Sequence, residues 1–241
     1  MDKKLIIVIG RGSGGTRLIS STLSGSGVYM GSVNNSGDMV PAEPMYAAVK
    51  MAGRLINISG VCTWDFSELL KTPAPTHFKD LVKQYTADIM LSTSDVIGWK
   101  LPETLLAFPW IIEMFPNAYF IHWIRDPRDT VATKHITDKL EAFDIPCNEI
   151  NITKITSIKP YEKGIESYCY QREIVMHTPA PYRFLEVKFE DFVLNQNVTL
   201  EKISQFLDMP LIKVPVDKTK IGRFRHTINV KTELLKKYGY L

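Results

Sequence analysis

Cysteine is scarce: Cys62, Cys147 and Cys169 are the only three among 241 residues. An odd number without metal-like spacing supports neither a disulfide framework nor a metal site, so they read as small hydrophobes of a reducing compartment. Long apolar runs are also missing. The longest, near residues 105–112, is interrupted by Pro109 and falls far short of the roughly 20 residues that cross a bilayer. Charge of one sign is not in excess, since 29 Lys and Arg against 26 Asp and Glu leave +3. A balance so small argues against a nucleic-acid partner. No repeat or low-complexity tract occurs, and 45% apolar with 23% charged residues excludes a disordered, collagen-like or coiled-coil chain. Met1-Asp2-Lys3-Lys4 leads into only five apolar residues before Gly10, too few for a secretory signal. A cytoplasmic location is therefore expected. The Asn-x-Ser/Thr sequons at Asn34, Asn57, Asn151 and Asn197 read as chance.

What is present is patterned. Residues 213–241 hold Lys213, Lys218, Lys220, Arg223, Arg225, Lys231, Lys236 and Lys237 against Asp217 and Glu233, a local +6 that leaves −3 elsewhere. Such segregation points to a local anion-binding surface. Residues 5–9 are an unbroken apolar run ending at Gly10, as in a strand buried on both faces of a parallel sheet. A helical pattern over 17–23 stops at Gly25-Ser26-Gly27, followed by a short strand over 28–30 and a polar loop over 32–44. Helices are expected over 44–55 and 78–85, a strand over 95–99, and a helix over 103–115 that contains Pro109. Next come a strand over 118–124 and a helix from Pro127 to about Leu140. A helix over 161–177, a strand over 183–187 and a helix over 200–207 capped near Thr199 complete the series. Strands alternating with helices at this spacing predict an α/β fold with a doubly wound, mostly parallel sheet. No convincing linker divides residues 1–241, so one domain is expected.

The turn after the first strand is Gly10-Arg11-Gly12-Ser13-Gly14-Gly15-Thr16-Arg17. Glycines let backbone N–H groups turn inward around an anion, and the helix N-terminus adds its positive end. Gly10 and Gly15 have the Gly-x4-Gly spacing of a nucleoside triphosphate loop, but Thr16 and Arg17 stand where Lys and Ser/Thr would follow. A phosphate-type anion is therefore expected rather than a magnesium nucleoside triphosphate. The plain alternative is a tight strand-to-helix turn.

The strand over 118–124 runs into Arg125-Asp126-Pro127-Arg128-Asp129, with Thr133 eight residues after Arg125. Arg125 thus stands at the carboxyl edge of a parallel sheet, where ligands bind in such folds. A structural arginine paired with Asp129 is the alternative. Together, the glycine loop and this segment resemble the sulfotransferase family, whose P-loop-like α/β fold binds 3′-phosphoadenosine 5′-phosphosulfate (PAPS). The family's Arg-x-Pro-x-Asp-x-x-x-Ser pattern falls on Arg125, Pro127, Asp129 and Thr133, with Thr for Ser. Gly98-Trp99-Lys100, Phe189-Glu190-Asp191-Phe192, and Lys218 with Gly222-Arg223-Phe224-Arg225 are similar to later family segments, in the same order. Gly15-Thr16-Arg17-Leu18 has the flavour of a divergent bacterial branch.

The resemblance implies sulfuryl transfer from PAPS to a hydroxyl or amine of a small-molecule or carbohydrate acceptor, with PAP as product and no metal. It implies nucleotide binding by residues 11–17, by Arg125 and Thr133, and by Lys218, Gly222, Arg223 and Phe224, with Phe224 a candidate for stacking on adenine. One departure stands out. The cation the family places before Ser-Gly is Gly12 here, or Ser13 in the shifted register. Arg17, Arg11 and Lys100 are the candidates to replace it, Arg17 first. Asp38 is the first candidate base, followed by Glu103 and Glu43, while His135 and His122 read as structural. A P-loop kinase of small molecules and a non-catalytic PAPS- or PAP-binding relative are the alternatives.

Overall fold

A computed structural model describes residues 3–60, 62–147 and 161–241; Met1, Asp2 and the sequon at Asn151 lie outside them. Strand β1 (Lys4–Ile9) leads through the glycine turn into α1 (Arg17–Gly25). Then come α2 (Glu43–Gly53), the hairpin β2 (Asn57–Gly60) and β3 (Thr63–Asp65), α3 (Ser67–Lys71) and α4 (Thr76–Leu91). Strand β4 (Val96–Lys100) precedes a 3-10 turn, Pro102–Ala107, and α5 (Phe108–Met114). Strand β5 (Tyr119–Ile124), α6 (Pro127–Thr130), α7 (Glu162–His177) and β6 (Phe184–Lys188) follow. The chain closes with α8 (Phe189–Leu194), α9 (Gln196–Leu207) and α10 (Thr232–Lys237).

The central sheet has the order β4-β1-β5-β6, and all its pairings are parallel. The pleat of β1 explains why its run is wholly apolar. Ile7 and Ile9 join Ile97, Trp99 and Phe120 in the larger core beneath α2, α4 and α7, while Ile6 and Val8 join Ile121, Trp123 and Val187 under α1, α8 and α9. All four β1 residues are fully buried, and each such side chain stabilises the fold by about 1.5–3 kcal/mol. The doubly wound parallel arrangement expected from the sequence is what forms. No helix among the described residues is long and apolar enough to cross a membrane.

Four expectations change. The last long helix starts at Gln196, so Thr199 lies inside α9 and does not cap it. The strand over 28–30 reduces to one parallel bridge, Tyr29 with Ile97. The helix over 103–115 splits, because Pro109 falls in the first turn of α5, where its missing N–H costs nothing. The helix from Pro127 ends at Thr130 instead of running to Leu140. Beyond it, His135 and Asp138 cap a 3-10 turn, His135 Nδ1 accepting the Thr137 N–H and Asp138 accepting the His135 N–H. Asp138 also pairs with the buried Arg11 guanidinium. That ion pair draws the segment onto the glycine turn, so tertiary contacts override helical propensity.

Candidate functional site

The glycine turn is fixed from both sides. Gly14 donates its N–H to the Arg11 carbonyl (3.1 Å), and Trp123 Nε1 donates to the Gly14 carbonyl (3.1 Å). Gly15 has φ +84°, and a Cβ there would stand 2.5 Å from the Phe189 ring, so both conformation and space require glycine. The turn opens on a cleft of about 550 Å³ lined by Gly12, Ser13, Gly15, Thr16 and Arg17, and by Lys100, Arg125, Thr133, His135 and Phe189. Parallel β1, β4 and β5 all end here, as the topology demands.

The candidate cations separate clearly. Arg17 is exposed on the cleft and has no hydrogen-bond or ion-pair partner among the described residues. Lys100 is 2% exposed and donates to the Ser36 carbonyl (2.8 Å) and to Asp38, so it braces the 34–38 loop against the end of β4. Burial lowers its pKa, partly offset by Asp38. Arg11 turns away from the cleft. Its guanidinium is spent on the Gly12 carbonyl (3.0 Å), the Thr130 carbonyl (3.0 Å) and Asp138.

Arg125 lies over the Phe189 ring at 4.2 Å and donates to the Lys220 carbonyl (2.6 Å). Its 3.8 Å approach to Asp129 is secondary, because that carboxylate already accepts the N–H groups of Gly222 (2.6 Å) and Phe224 (3.1 Å). Asp126 likewise takes Arg128 (2.6 Å) and Arg225 (3.2 Å). In Arg125-Asp126-Pro127-Arg128-Asp129 the arginine at the front faces the cleft, and the two buried acids clip the late basic loop in place. Asp129→Ala strands two backbone donors, each costing about 1–3 kcal/mol. The expected result is a lowered Tm and earlier proteolysis within 217–228; unchanged Tm and cleavage would show that the clip carries no weight.

That loop contributes Pro215, Asp217 and Lys220 to the cleft, whereas Lys218, Gly222, Arg223 and Phe224 do not line it. Phe224 packs on the larger core and carries the Arg223 guanidinium at 4.5 Å from its ring centre. The aromatic ring in the cleft is Phe189. No local signal marks it in the sequence, because its place in the cleft depends on packing against the distant Gly15.

A second cleft of about 670 Å³ adjoins the first, lined by Ser32, Asn34, Glu43, Tyr46, Leu101, Glu103 and Ile136, and sharing Asp38 and His135 with it. Asp38, the first candidate base, has its charge engaged by Lys100. Glu103 is 1% exposed, and its Oε2 is buried without a partner among the described residues. Burial pushes its pKa up to about 7. Glu103 is therefore better matched than Asp38 to accept a proton near neutral pH. His135, read from the sequence as structural, stands at the junction of the two clefts, with burial and then Arg11 lowering its pKa to about 4. His122 is buried inside β5, 3.2 Å from Glu186. Among the described residues, no group of three or more His, Cys, Asp and Glu is placed to hold a metal ion.

Comparison with known proteins identifies the family and the fold. A family model described as the sulfotransferase family matches residues 6–213. A protein-tyrosine sulfotransferase of Drosophila melanogaster is 30% identical over 115 residues, which are 46% of this chain and 20% of that relative. The sulfotransferase domain from the curacin biosynthetic pathway superposes with a TM-score of 0.61 at 14% identity, covering 99% of this chain and 98% of that one. A sulfotransferase from Alicyclobacillus acidocaldarius gives 0.50 at 11% identity, covering 99% and 90%. These two likenesses are of fold.

Proposed function

The chain belongs to the sulfotransferase family, and from that premise we propose that it transfers a sulfuryl group from PAPS to a hydroxyl or amine of a small-molecule or carbohydrate acceptor. The observation that carries the reading is the convergence of two anion-binding elements on one cleft. The turn of residues 12–16 meets Arg125 and Thr133 there, which suits a nucleotide with phosphates at both its 5′ and 3′ positions.

In the reaction the acceptor oxygen or nitrogen bonds to sulfur while the bond between sulfur and the 5′-phosphate oxygen breaks. The sulfated acceptor, PAP and one proton result. Backbone N–H groups of the turn and the α1 N-terminus bind the 5′ end, and Arg17 faces the charge that develops on the leaving oxygen. Arg125, held over the Phe189 ring, binds the 3′-phosphate. Glu103 takes the acceptor's proton from the adjoining cleft.

PAP should stabilise the protein without added metal. At about 100 times its dissociation constant a ligand adds roughly 2.7 kcal/mol, which a thermal-shift titration reads directly. Arg125→Ala should then weaken PAP by roughly 10- to 150-fold, the equivalent of one lost hydrogen bond to a charged group. Adenosine 5′-phosphosulfate, which lacks the 3′-phosphate, should hardly be affected. No shift at millimolar PAP would overturn the reading, and equal weakening of both nucleotides would make Arg125 structural.

A further inference from the structure

We infer that His135 is a catalytic hydrogen-bond donor: its imidazole fills the space of a side chain on residue 12, and its Nε2–H serves the sulfuryl group held at the glycine turn. The inference rests on the reading that this cleft takes PAPS. Its geometric basis is the packing of the ring on Gly12. A Cβ built there would stand 2.1 Å from His135 Nε2, 2.2 Å from Cδ2 and 2.3 Å from Cε1. These near-equal distances place that Cβ over the face of the imidazole, so the ring lies flat on Gly12 with Nε2 the nearest of its atoms. Gly12 is not among the glycines with positive φ, so its backbone tolerates a side chain and the imidazole alone excludes one.

The hydrogen bonds of the ring decide which nitrogen carries the proton. Nδ1 accepts the Thr137 N–H at 3.3 Å and lies 3.0 Å from Thr137 Oγ1. A nitrogen that accepts has no proton of its own, so the Thr137 N–H selects the neutral ring protonated on Nε2, against the weaker pull of Glu103 Oε1 at 4.0 Å from Nδ1. Nε2 has no hydrogen-bond partner among the described residues, and the ring lines both clefts. With its pKa depressed to about 4, the ring is neutral at working pH. It therefore cannot act as a base through Nε2; it donates. A donor fixed in place before reaction stabilises charge as it grows on the transferring group and its leaving oxygen, with little reorganisation. The backbone behind the ring is itself fixed, because Asp138 accepts the His135 N–H (2.9 Å) while pairing with Arg11.

The test starts from the wild-type protein labelled with ¹⁵N-histidine. At pH 7 the His135 signal should be that of a neutral ring protonated on Nε2, and PAPS should shift it more than PAP does. A ring protonated on Nδ1, a charged ring, or a ring that responds equally to both nucleotides would overturn the inference alone. A wild-type protein that binds neither nucleotide would overturn the PAPS reading, and this inference with it. A substitution cycle adds a second readout. Gly12→Lys should weaken PAP at least tenfold by colliding with the imidazole, yet strengthen it when combined with His135→Ala. His135→Ala should slow single-turnover conversion of PAPS to PAP about tenfold or more, and His135→Gln, which keeps an N–H donor, should recover most of that loss. Equal effects of Gly12→Lys in both backgrounds, or no difference between His135→Ala and His135→Gln, would likewise overturn it.

Discussion

Glu103→Gln should nearly abolish sulfuryl transfer while leaving PAP affinity unchanged. The side chain is buried with one oxygen unpartnered, and burial outweighs the nearby Lys100 ammonium to hold its pKa at about 7. A carboxylate tuned to that value combines adequate basicity with a large ionised fraction at neutral pH. Removing such a base costs roughly 10²- to 10⁴-fold. PAP release in single-turnover experiments, run with a panel of hydroxylated and amino acceptors, gives the rate. In the wild type that rate should rise with pH through about 7 and then level off. The same group leaves a mark on stability, and its sign is set by the raised pKa. Its contribution is fully present below the ordinary carboxyl value of 4.5 and is lost as pH rises through about 7. The wild type should thus lose up to roughly 3 kcal/mol over that window relative to Glu103→Gln. A variant within twofold of the wild-type rate would remove Glu103 from the mechanism.

Arg17→Ala is expected to lower single-turnover transfer by about 10²- to 10³-fold, the usual cost of deleting a donor aimed at developing charge. PAP binding through Arg125 should survive. Availability sets Arg17 apart from the other two cations. Arg11 is committed to Thr130 and Asp138, and Lys100 to Asp38 and Ser36, whereas Arg17 stands at the start of α1, on the cleft and without such a partner among the described residues. Arg11→Ala should behave differently, destabilising the fold by about 3–5 kcal/mol because Asp138 loses the partner of a buried ion pair. Comparing rate and Tm across both variants separates the roles. Transfer within twofold of wild type in Arg17→Ala would pass the charge-stabilising role to Lys100.

The sequence carried those features that depend on near neighbours. The unbroken run of β1 forecast burial on both faces, and the turn before α1 and Arg125 after β5, singled out from local pattern, do line one cleft at the sheet edge. Features created by distant pairings were not legible. Nothing local to Pro127–Thr130 indicates that Arg11 will capture Asp138 and end the helix. The same capture brings His135 over Gly12, a contact that nothing near either residue in the sequence announces. The exchange of Phe224 for Phe189 has a similar origin. The N–H groups of Gly222 and Phe224 are fastened to Asp129, which turns the Phe224 ring toward the core.

The two clefts have separate linings and share only Asp38 and His135, which sets the inhibition pattern of the proposed reaction. PAP left in the donor cleft does not occupy the acceptor's space. It therefore competes with PAPS for one site while leaving the other open, and raising the acceptor concentration cannot relieve its inhibition. A fresh acceptor can also enter before PAP has left, forming a ternary complex that has no sulfuryl group to transfer. Under the proposed function, turnover should then pass through a maximum and decline as acceptor accumulates, without any regulatory site, because the departing and arriving molecules would occupy adjoining compartments.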